Sequence, residues 1–255
     1  MTLGIPTGFA GKAVSWVVRS VVVVNPNSNG STTDMLVRRF QRSMDTFCSG
    51  VSSPDVVGVT AATGPSMITT PQALSAAAGH VRDAVCTVMP RIRPDAVIVC
   101  GFGDPGVQQL RDCLAVPVIG IGEASLRYAS RGDIRFGIVT TTGDLVEALG
   151  QMVRNAGLTR LFTGVQLTPT EPLRLAGLPD RSNRELATAV QRALGDGAQK
   201  VIIGGGPLSN AADYLEQFYP GVIVDPVYAA AWWAAQLTAP HSLHQYGTRD
   251  TDERQ

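Results

Sequence analysis

The sequence predicts an α/β protein made of two pseudo-symmetric halves, each a parallel sheet with helices on its faces. Three observations predict this class: strand-like runs alternate with helical stretches, several strand runs are apolar throughout, and the order of elements occurs twice. Uninterrupted apolar strands are typical of parallel sheets covered on both faces. Alternation of strands and helices favours the same architecture. A chain of 255 residues is long enough for one large α/β unit or two small halves.

The first half contains four runs rich in Val and Ile that we predict to be strands. They lie at 20–24, 56–59, 96–100 and 116–121. A helix is predicted at 32–44, after a Ser/Thr cluster that can cap it, and another at 71–89. In both stretches, apolar residues recur every three or four positions, as on one face of a helix.

The second half repeats this arrangement. Its predicted strands lie at 135–139, 164–167, 200–203 and 222–224, and its predicted helices at 145–156 and 184–194. Segment 21–27 resembles 136–142, segment 95–106 resembles 199–210, and segment 116–124 resembles 221–229. Three matched pairs in the same order indicate a duplication. We therefore expect a first half formed by 19–122 plus 224–240, a second half formed by 123–223, an N-terminal extension at 1–18 and a polar tail at 241–255.

Duplication also predicts where a ligand binds. In open α/β sheets, ligands lie beyond the carboxyl ends of the strands. Two facing halves would bring the loops at Asn25 and Gly101 opposite the loops at Thr140 and Gly205. The active site is therefore expected in the cleft between the halves.

Charge and cysteine usage exclude several classes of protein. The 21 basic and 21 acidic residues balance, so nothing favours nucleic acid or an anionic membrane as a partner. The four cysteines have no paired spacing of the kind that zinc sites or disulfide frameworks use. The apolar stretches are too short to span a bilayer, and no signal-peptide pattern is found, so we expect a cytoplasmic protein.

Four motifs carry a resemblance to a known family. They are VNPNSN at 24–29, GPSMI at 64–68, GDPG at 103–106 and PVIGIGEA at 117–124. In this order they resemble the aspartate/glutamate/hydantoin racemase superfamily, in particular its hydantoin and allantoin racemase branch, over roughly residues 20–237. The resemblance implies two pseudo-symmetric halves, no cofactor, no metal, a homo-oligomer and a small carboxylate or cyclic amide as substrate. It also implies that two cysteines exchange the proton next to a carbonyl group while backbone amides and small polar side chains stabilise an enolate-like intermediate.

This chain departs from the family at both cysteine positions. Gly101 stands before the Phe-Gly-Asp-Pro-Gly segment and Gly205 follows the later strand, where the family pattern has cysteines. Cys100 is one residue too early, and the alternation of side chains along a strand turns its thiol away from the cleft unless a bulge intervenes. No cysteine follows Cys113. We therefore predict that racemisation by two thiols does not occur.

The candidate substrate-binding residues all follow predicted strands. Short polar groups there suit a cradle for a carboxylate or carbonyl group, and they equally suit turns and helix caps. The glycines can present backbone N–H groups to an anion, or can simply allow a tight turn. The candidates are Asn25, Ser28, Asn29, Gly101, Phe102, Thr140, Thr141, Thr142, Gly205, Gly206, Ser209 and Asn210.

Three further residues are candidate catalytic groups. Asp104 and Glu123 belong to the family pattern, and we interpret them first as carboxylates that shape the site. The alternative is that one of them serves as the general base in place of a missing cysteine. Tyr228 stands where the relatives have a small residue. Its phenol can donate to an oxyanion or act as an acid, or it can simply pack.

The preferred functional reading is a cofactor-independent enzyme with a remodelled racemase fold, a lyase, decarboxylase, cyclase or isomerase that does not depend on cysteine. One alternative is a non-catalytic protein that binds a small acid on a scaffold that has lost its activity. The other is a true hydantoin or amino-acid racemase with displaced acid and base residues.

Overall fold

The computed structural model describes residues 20–49 and 52–238, so the N-terminal extension and the polar tail lie outside the described residues. The first half alternates strands and helices throughout. In chain order they are β1 Ser20–Asn25, α1 Gly30–Phe47, β2 Asp55–Thr60, α2 Pro71–Ile92, β3 Ala96–Val99, α3 Val107–Cys113, β4 Val118–Gly120 and α4 Ile121–Ala129.

The second half repeats that order, with extra helical turns around its loops. Its elements are β5 Phe136–Thr140, a 3₁₀ turn Gly143–Leu145, α5 Val146–Asn155, β6 Phe162–Leu167, α6 Pro172–Leu175, α7 Pro179–Gly195, β7 Lys200–Ile203, a 3₁₀ turn Gly206–Leu208, α8 Ser209–Glu216, β8 Ile223–Val224 and α9 Pro226–Thr238.

The strands form two parallel sheets with equivalent topology. The first has the order β2-β1-β3-β4 and the second the order β6-β5-β7-β8. The central strands pair in equivalent registers, with Val21 beside Ala96 in the first sheet and Phe136 beside Lys200 in the second. The predicted fold class is therefore confirmed, and the shared strand order is what a duplication would produce.

Local sequence explains where α1 and α2 begin. The Asn29 side chain accepts hydrogen bonds from the backbone N–H groups of Ser31 and Thr32 at the start of α1, as an N-cap residue does. The Thr70 hydroxyl accepts from Ala73 N at the start of α2, and Pro71 occupies the first helical position, where a missing N–H costs nothing. The predicted strand at 116–121 is shorter in the structure, where β4 spans Val118–Gly120 and Ile121 is the first residue of α4.

A core shared by both halves holds the sheets together. Val21 and Ile98 from the first sheet and Ile138 and Ile202 from the second belong to a single apolar cluster, and all four are fully buried. Two helices pack across the junction between the sheets: α4, which follows β4, contacts β7, β8 and α5, whereas α9, which follows β8, contacts α1 and β4. The two helices also contact each other.

A buried arginine adds a polar link across the same junction. Arg39 of α1 donates two hydrogen bonds to Asp213 of α8, at 2.5 and 2.8 Å, and one to Asp225 at 2.7 Å. Asp225 precedes α9 and also accepts from Val227 N at 3.0 Å. The arginine thus joins α1 to two elements of the other end of the chain.

None of the helices within residues 20–49 and 52–238 is both long and apolar enough to span a membrane.

Candidate functional site

A cleft of about 460 Å³ opens at the carboxyl ends of the strands of both sheets. Its walls are the loops that follow β1, β2 and β3 on one side and β5, β6 and β7 on the other. Gly101 and Gly205 both line it. The cleft therefore lies where the duplication predicted a ligand site.

The loop after β1 divides into an internal network and a cleft-lining part. Asn25 is fully buried, and its Nδ2 donates to Asn27 Oδ1, Asn29 O and Thr33 Oγ1 at 3.0, 3.0 and 3.1 Å. Ser28 is exposed, and its hydroxyl donates to Gly64 O at 3.0 Å. Neither residue is among those that line the cleft, whereas Asn29 is. Asn25 thus holds the loop in shape rather than reaching a ligand.

Asn27 presents hydrogen-bond donors to the cleft. Its Oδ1 accepts from Asn25 Nδ2 at 3.0 Å and from Asn29 N at 2.9 Å, which fixes the orientation of the amide. The residue is only 6% exposed and lines the cleft. Its Nδ2 has no protein acceptor among the described residues, and it retains some accessible surface. The two N–H groups of Nδ2 are therefore available to a ligand.

The loop after β5 likewise contains a buried residue that supports the loop and other residues that line the cleft. Thr140 is fully buried and its hydroxyl donates to Gly204 O at 2.7 Å, which ties this loop to the one after β7. Thr142 lies at the cleft, with its hydroxyl 3.0 Å from that of Thr140. Thr141 lines the cleft at 8% exposure, and its hydroxyl has no protein partner among the described residues. Thr141 is therefore the best-placed hydroxyl donor of this loop.

The surroundings of Gly101 leave no room for a side chain. A Cβ atom there would lie 2.8 Å from Pro26 Cγ and 3.0 Å from Pro105 Cδ, so a ring would have to move to accommodate it. The neighbouring Cys100 is buried in the shared core and is also among the residues that line the cleft. Burial raises the pKa of the Cys100 thiol well above its usual range, and the charges of Asp104 and Asp225 raise it further. A reactive thiolate is disfavoured at this position.

The three glycines after β7 have different roles. A Cβ atom on Gly204 would lie 2.8 Å from Phe102 Cε1, and one on Gly206 would lie 3.1 Å from Cys100 O, so both glycines allow the halves to approach closely. Gly205 has a φ of 152°, a conformation that L-residues rarely adopt, and it is partly exposed at the cleft. In the described part of the chain, no hydrogen bond is assigned to the backbone N–H groups of Gly205 and Gly206. These N–H groups are available to an anion or a carbonyl oxygen.

The two candidate carboxylates lie behind the cleft. Asp104 Oδ1 accepts from Gly122 N at 2.7 Å and Oδ2 from Glu123 N at 2.6 Å, so this side chain caps α4. Burial raises the pKa of Asp104 to about 7, although the two backbone hydrogen bonds act against that shift. Glu123 accepts from Arg111 at 2.8 Å. Neither carboxylate is among the residues that line the cleft.

Tyr228 is also placed away from the cleft. Its ring packs 4.9 Å from that of Phe47 and 5.9 Å from that of Tyr128. It lines a separate cavity of about 380 Å³ together with Arg39 and Asp225. Burial raises the pKa of the Tyr228 phenol. The catalytic role that the sequence suggested for Tyr228, Asp104 and Glu123 therefore has no support from their positions.

The remaining candidates differ in position. Phe102 is buried and lines the cleft, and Asn210 is exposed at its edge. Ser209 is fully buried, does not line the cleft, and has a hydroxyl without a partner among the described residues. The structure thus brings part of the candidate set together. The predicted residues at the cleft are Asn29, Gly101, Phe102, Thr141, Thr142, Gly205, Gly206 and Asn210.

Sequence reasoning did not single out several parts of the wall, two of which are Asn27 and the segment of α6 and α7. Asn27 lies inside the VNPNSN motif, so its place after a strand could have identified it. The second part is contributed by α6 and the start of α7, where Leu175 and Ser182 line the cleft. No motif marks this segment.

The cleft is uncharged. Among the described residues that line it there is no Asp, Glu, Lys, Arg or His. Amides, hydroxyls and backbone N–H groups supply its polarity, and side chains such as Met35, Leu145 and Leu175 supply apolar surface. The site can therefore hold a polar ligand through neutral donors, but the described lining contains no side chain that exchanges a proton readily near neutral pH.

Two duplicated parallel sheets that meet at a cleft are the architecture of a class of racemases. The model of the Asp/Glu/hydantoin racemase family matches residues 21–234, so the chain belongs to this family. A hydantoin racemase from Paenarthrobacter aurescens is 25% identical over 220 residues, which cover 86% of this chain and 91% of that protein. The structure of allantoin racemase from Pseudomonas fluorescens matches with a TM-score of 0.77 at 24% identity, over 92% of this chain and 99% of the other. The structure of an arylmalonate decarboxylase matches with a TM-score of 0.57 at 14% identity, over 90% and 94%. The family resemblance predicted from the motifs is confirmed, and these structural likenesses support the fold.

Proposed function

We propose that this protein is a cofactor-independent enzyme that binds a small carboxylate or cyclic amide in the cleft and stabilises an enolate-like intermediate without a pair of thiols. The observation that carries this proposal is that Gly101 and Gly205 line one cleft whose described lining has no charged side chain. Racemisation needs an acid and a base on opposite faces of the reacting carbon. The cleft offers donors for an oxyanion in place of such a pair.

The proposed donors come from both halves. Asn27 Nδ2, the Thr141 hydroxyl and the N–H groups of Gly205 and Gly206 all border the cleft without protein acceptors among the described residues. Preorganised neutral donors of this kind stabilise negative charge that develops on oxygen. We assign them to the carboxylate or carbonyl group that becomes the enolate.

Loss of carbon dioxide is the reaction that this environment favours most. The bond to a departing carboxylate breaks, its electron pair passes into the remaining carboxyl group to form an enediolate, and CO₂ leaves. No base is required for that step. An apolar wall such as that at Leu145 and Leu175 solvates a localised carboxylate charge poorly and so promotes a transition state in which the charge is dispersed. Water then gives a proton to the carbon, and the resulting hydroxide is neutralised by solvent.

A direct test is to incubate the full chain with phenylmalonate and alkylmalonates and to measure CO₂ release. We expect turnover in the wild-type protein and a fall in kcat/KM of about 10²-fold when Thr141→Val removes a donor. Thr188→Val is the matched control, since its hydroxyl is bonded to Arg184 O within α7 and it does not line the cleft. Absence of CO₂ release, with rapid exchange of the α-proton of hydantoins in deuterated water, would instead identify a racemase with displaced acid and base residues.

The second candidate function is non-catalytic binding of a small acid. It is favoured by the same absence of charged side chains from the described lining. Thermal stabilisation by a malonate or a hydantoin, with neither CO₂ release nor proton exchange, would establish it. The cytoplasmic location and the homo-oligomeric state remain predictions, which fractionation of the source cells and sedimentation of the purified protein would test.

A further inference from the structure

One wall of the cleft comes from a segment outside every recognised motif. The chain leaves β6, forms α6 and enters α7, and in doing so places Leu175 and Ser182 at the cleft. Both are largely buried, with Ser182 at 8% exposure. A polar side chain this far buried normally has a hydrogen-bond partner.

The hydroxyl of Ser182 has no such partner within the described chain, and it is not sealed in the interior. Five hydroxyls elsewhere in the helices behave differently. They donate to the carbonyl four residues earlier, as is common for Ser and Thr within helices. This group comprises Ser43, Thr46, Thr87, Ser125 and Thr188. The Ser182 hydroxyl, which has no partner among the described residues, is therefore free to bond to a ligand in the cleft that this residue lines.

Hydrogen bonds around Glu185 hold this wall in place. Glu185 accepts from the backbone N–H and the hydroxyl of Thr170, at 3.0 and 2.7 Å, and from Arg181 Nε at 2.7 Å. In addition, Thr168 N donates to Thr140 O at 3.1 Å, which ties the segment to the end of β5. These hydrogen bonds fix the backbone around Ser182, and a contact that selects between ligands needs such a fixed position.

The surroundings of Ser182 indicate what it would bind. Apolar side chains such as Leu145 and Leu175 line the same cleft, and no charged side chain is found in its described lining. A hydrogen bond is stronger in such surroundings than in water, whereas an unpaired charge there is costly. The group that complements the Ser182 hydroxyl is therefore uncharged, whereas the reacting carboxylate or carbonyl group is bound by the donors after β1, β5 and β7.

On the basis of the proposed function, we propose that Ser182 is a specificity-determining residue that contacts the non-reacting side arm of the substrate. It selects side arms that carry an uncharged hydrogen-bonding group, such as a hydroxyl or a carboxamide, over purely apolar ones of the same size. The reacting carbon is held by the donors after β1, β5 and β7, so Ser182 acts on selection rather than on the chemical step.

The test uses two pairs of probes that differ only in the side arm: 5-ethylhydantoin with 5-(hydroxymethyl)hydantoin, and ethylmalonate with (hydroxymethyl)malonate. Binding to the full chain is measured by isothermal titration calorimetry. We expect the wild-type protein to bind the hydroxymethyl member of at least one pair about five-fold more tightly, as one hydrogen bond allows. Ser182→Ala should abolish that preference, leave the affinity for the ethyl member within about two-fold and leave the Tm unchanged, because the hydroxyl has no protein partner to lose.

Thr188→Val is the matched control in the same helix and should keep the preference. Equal ratios in the wild-type protein and Ser182→Ala would overturn the assignment of Ser182 while leaving the proposed function intact, and so would an equal loss in Thr188→Val. Failure of all four probes to bind the wild-type protein would refute the proposed function and, with it, the role of Ser182.

Discussion

Replacement of Arg39 by methionine tests whether the buried ion cluster stabilises the junction between the halves. Methionine keeps much of the apolar stem but removes all three hydrogen bonds of the guanidinium group. The ion pairs of Arg39 with Asp213 and with Asp225 contribute different amounts to the free energy of unfolding. Asp213 is 63% exposed, so solvent screens that pair and it contributes about 1 kcal/mol or less. Asp225 is 13% exposed and would be left as a buried charge without its cation.

The loss at Asp225 dominates the expected effect. Removing one member of a buried ion pair costs about 3–5 kcal/mol, and we expect Arg39→Met to lower the free energy of unfolding by about that amount. In a chain of this size, such a change lowers the Tm by roughly 10 °C. Urea denaturation followed by tryptophan fluorescence and by circular dichroism measures it.

The partner variants separate the two pairs. Asp213→Asn should cost about 1 kcal/mol or less. In the double variant Arg39→Met/Asp225→Asn, stability should recover by about 2 kcal/mol or more relative to Arg39→Met, because no buried charge is left unpaired. The reasoning is refuted if Arg39→Met stays within 1 kcal/mol of the wild-type protein, or if Asp213→Asn is as damaging as the arginine variant.

Three further predictions concern the cleft and its supports. Gly205→Ala should lower the free energy of unfolding by about 1–3 kcal/mol, because alanine must adopt a φ of 152°. Gly30→Ala is the control and should not destabilise the protein, since Gly30 lies in open space at the start of α1. Equal urea midpoints for the two variants would contradict this prediction. Thr140→Val should lower the free energy of unfolding by about 1–3 kcal/mol, because it leaves a buried carbonyl unpaired. Thr141→Val should change the free energy of unfolding by less than about 0.5 kcal/mol. A reversed order of Tm values would disprove the division between supporting and ligand-facing threonines. Burial raises the pKa of Asp104 to about 7, above the value near 4 of an unfolded chain, so folding disfavours its charged form and its contribution makes the free energy of unfolding fall as pH rises from about 4 to about 7. Asp104→Asn should flatten that fall in urea titrations across the pH range, and an unchanged slope would rule the assignment out.

The sequence predicted the architecture well because the local signals for it are strong. Apolar strands followed by glycine or short polar residues marked both sheets, and their repetition located the cleft with Gly101 and Gly205 in it. The roles of individual polar residues were harder to predict, because a loop after a strand can turn a side chain either way. Asn25 and Thr140 turn inward to support their loops, and Asp104 turns back to cap α4.

Other parts of the site depend on packing between distant segments, which one sequence does not encode locally. Tyr228 was a catalytic candidate because it stands where the relatives have a small residue. In the structure α9 packs against α1, and the Tyr228 ring contacts that of Phe47. Ser182 gave no signal at all, since it becomes a cleft residue only when α6 and α7 fold over the end of the second sheet.

The crossing of α4 and α9 to the sheet other than the one each follows limits where this chain can be cut. A fragment that ended after α4 would carry a helix whose contacts include β7, β8 and α5, and would lack the helix that covers α1 and β4. Each fragment would thus expose apolar surface that the other covers in the full chain, despite its complete sheet. The two fragments are complementary, and together they contain every contact needed to rebuild the cleft.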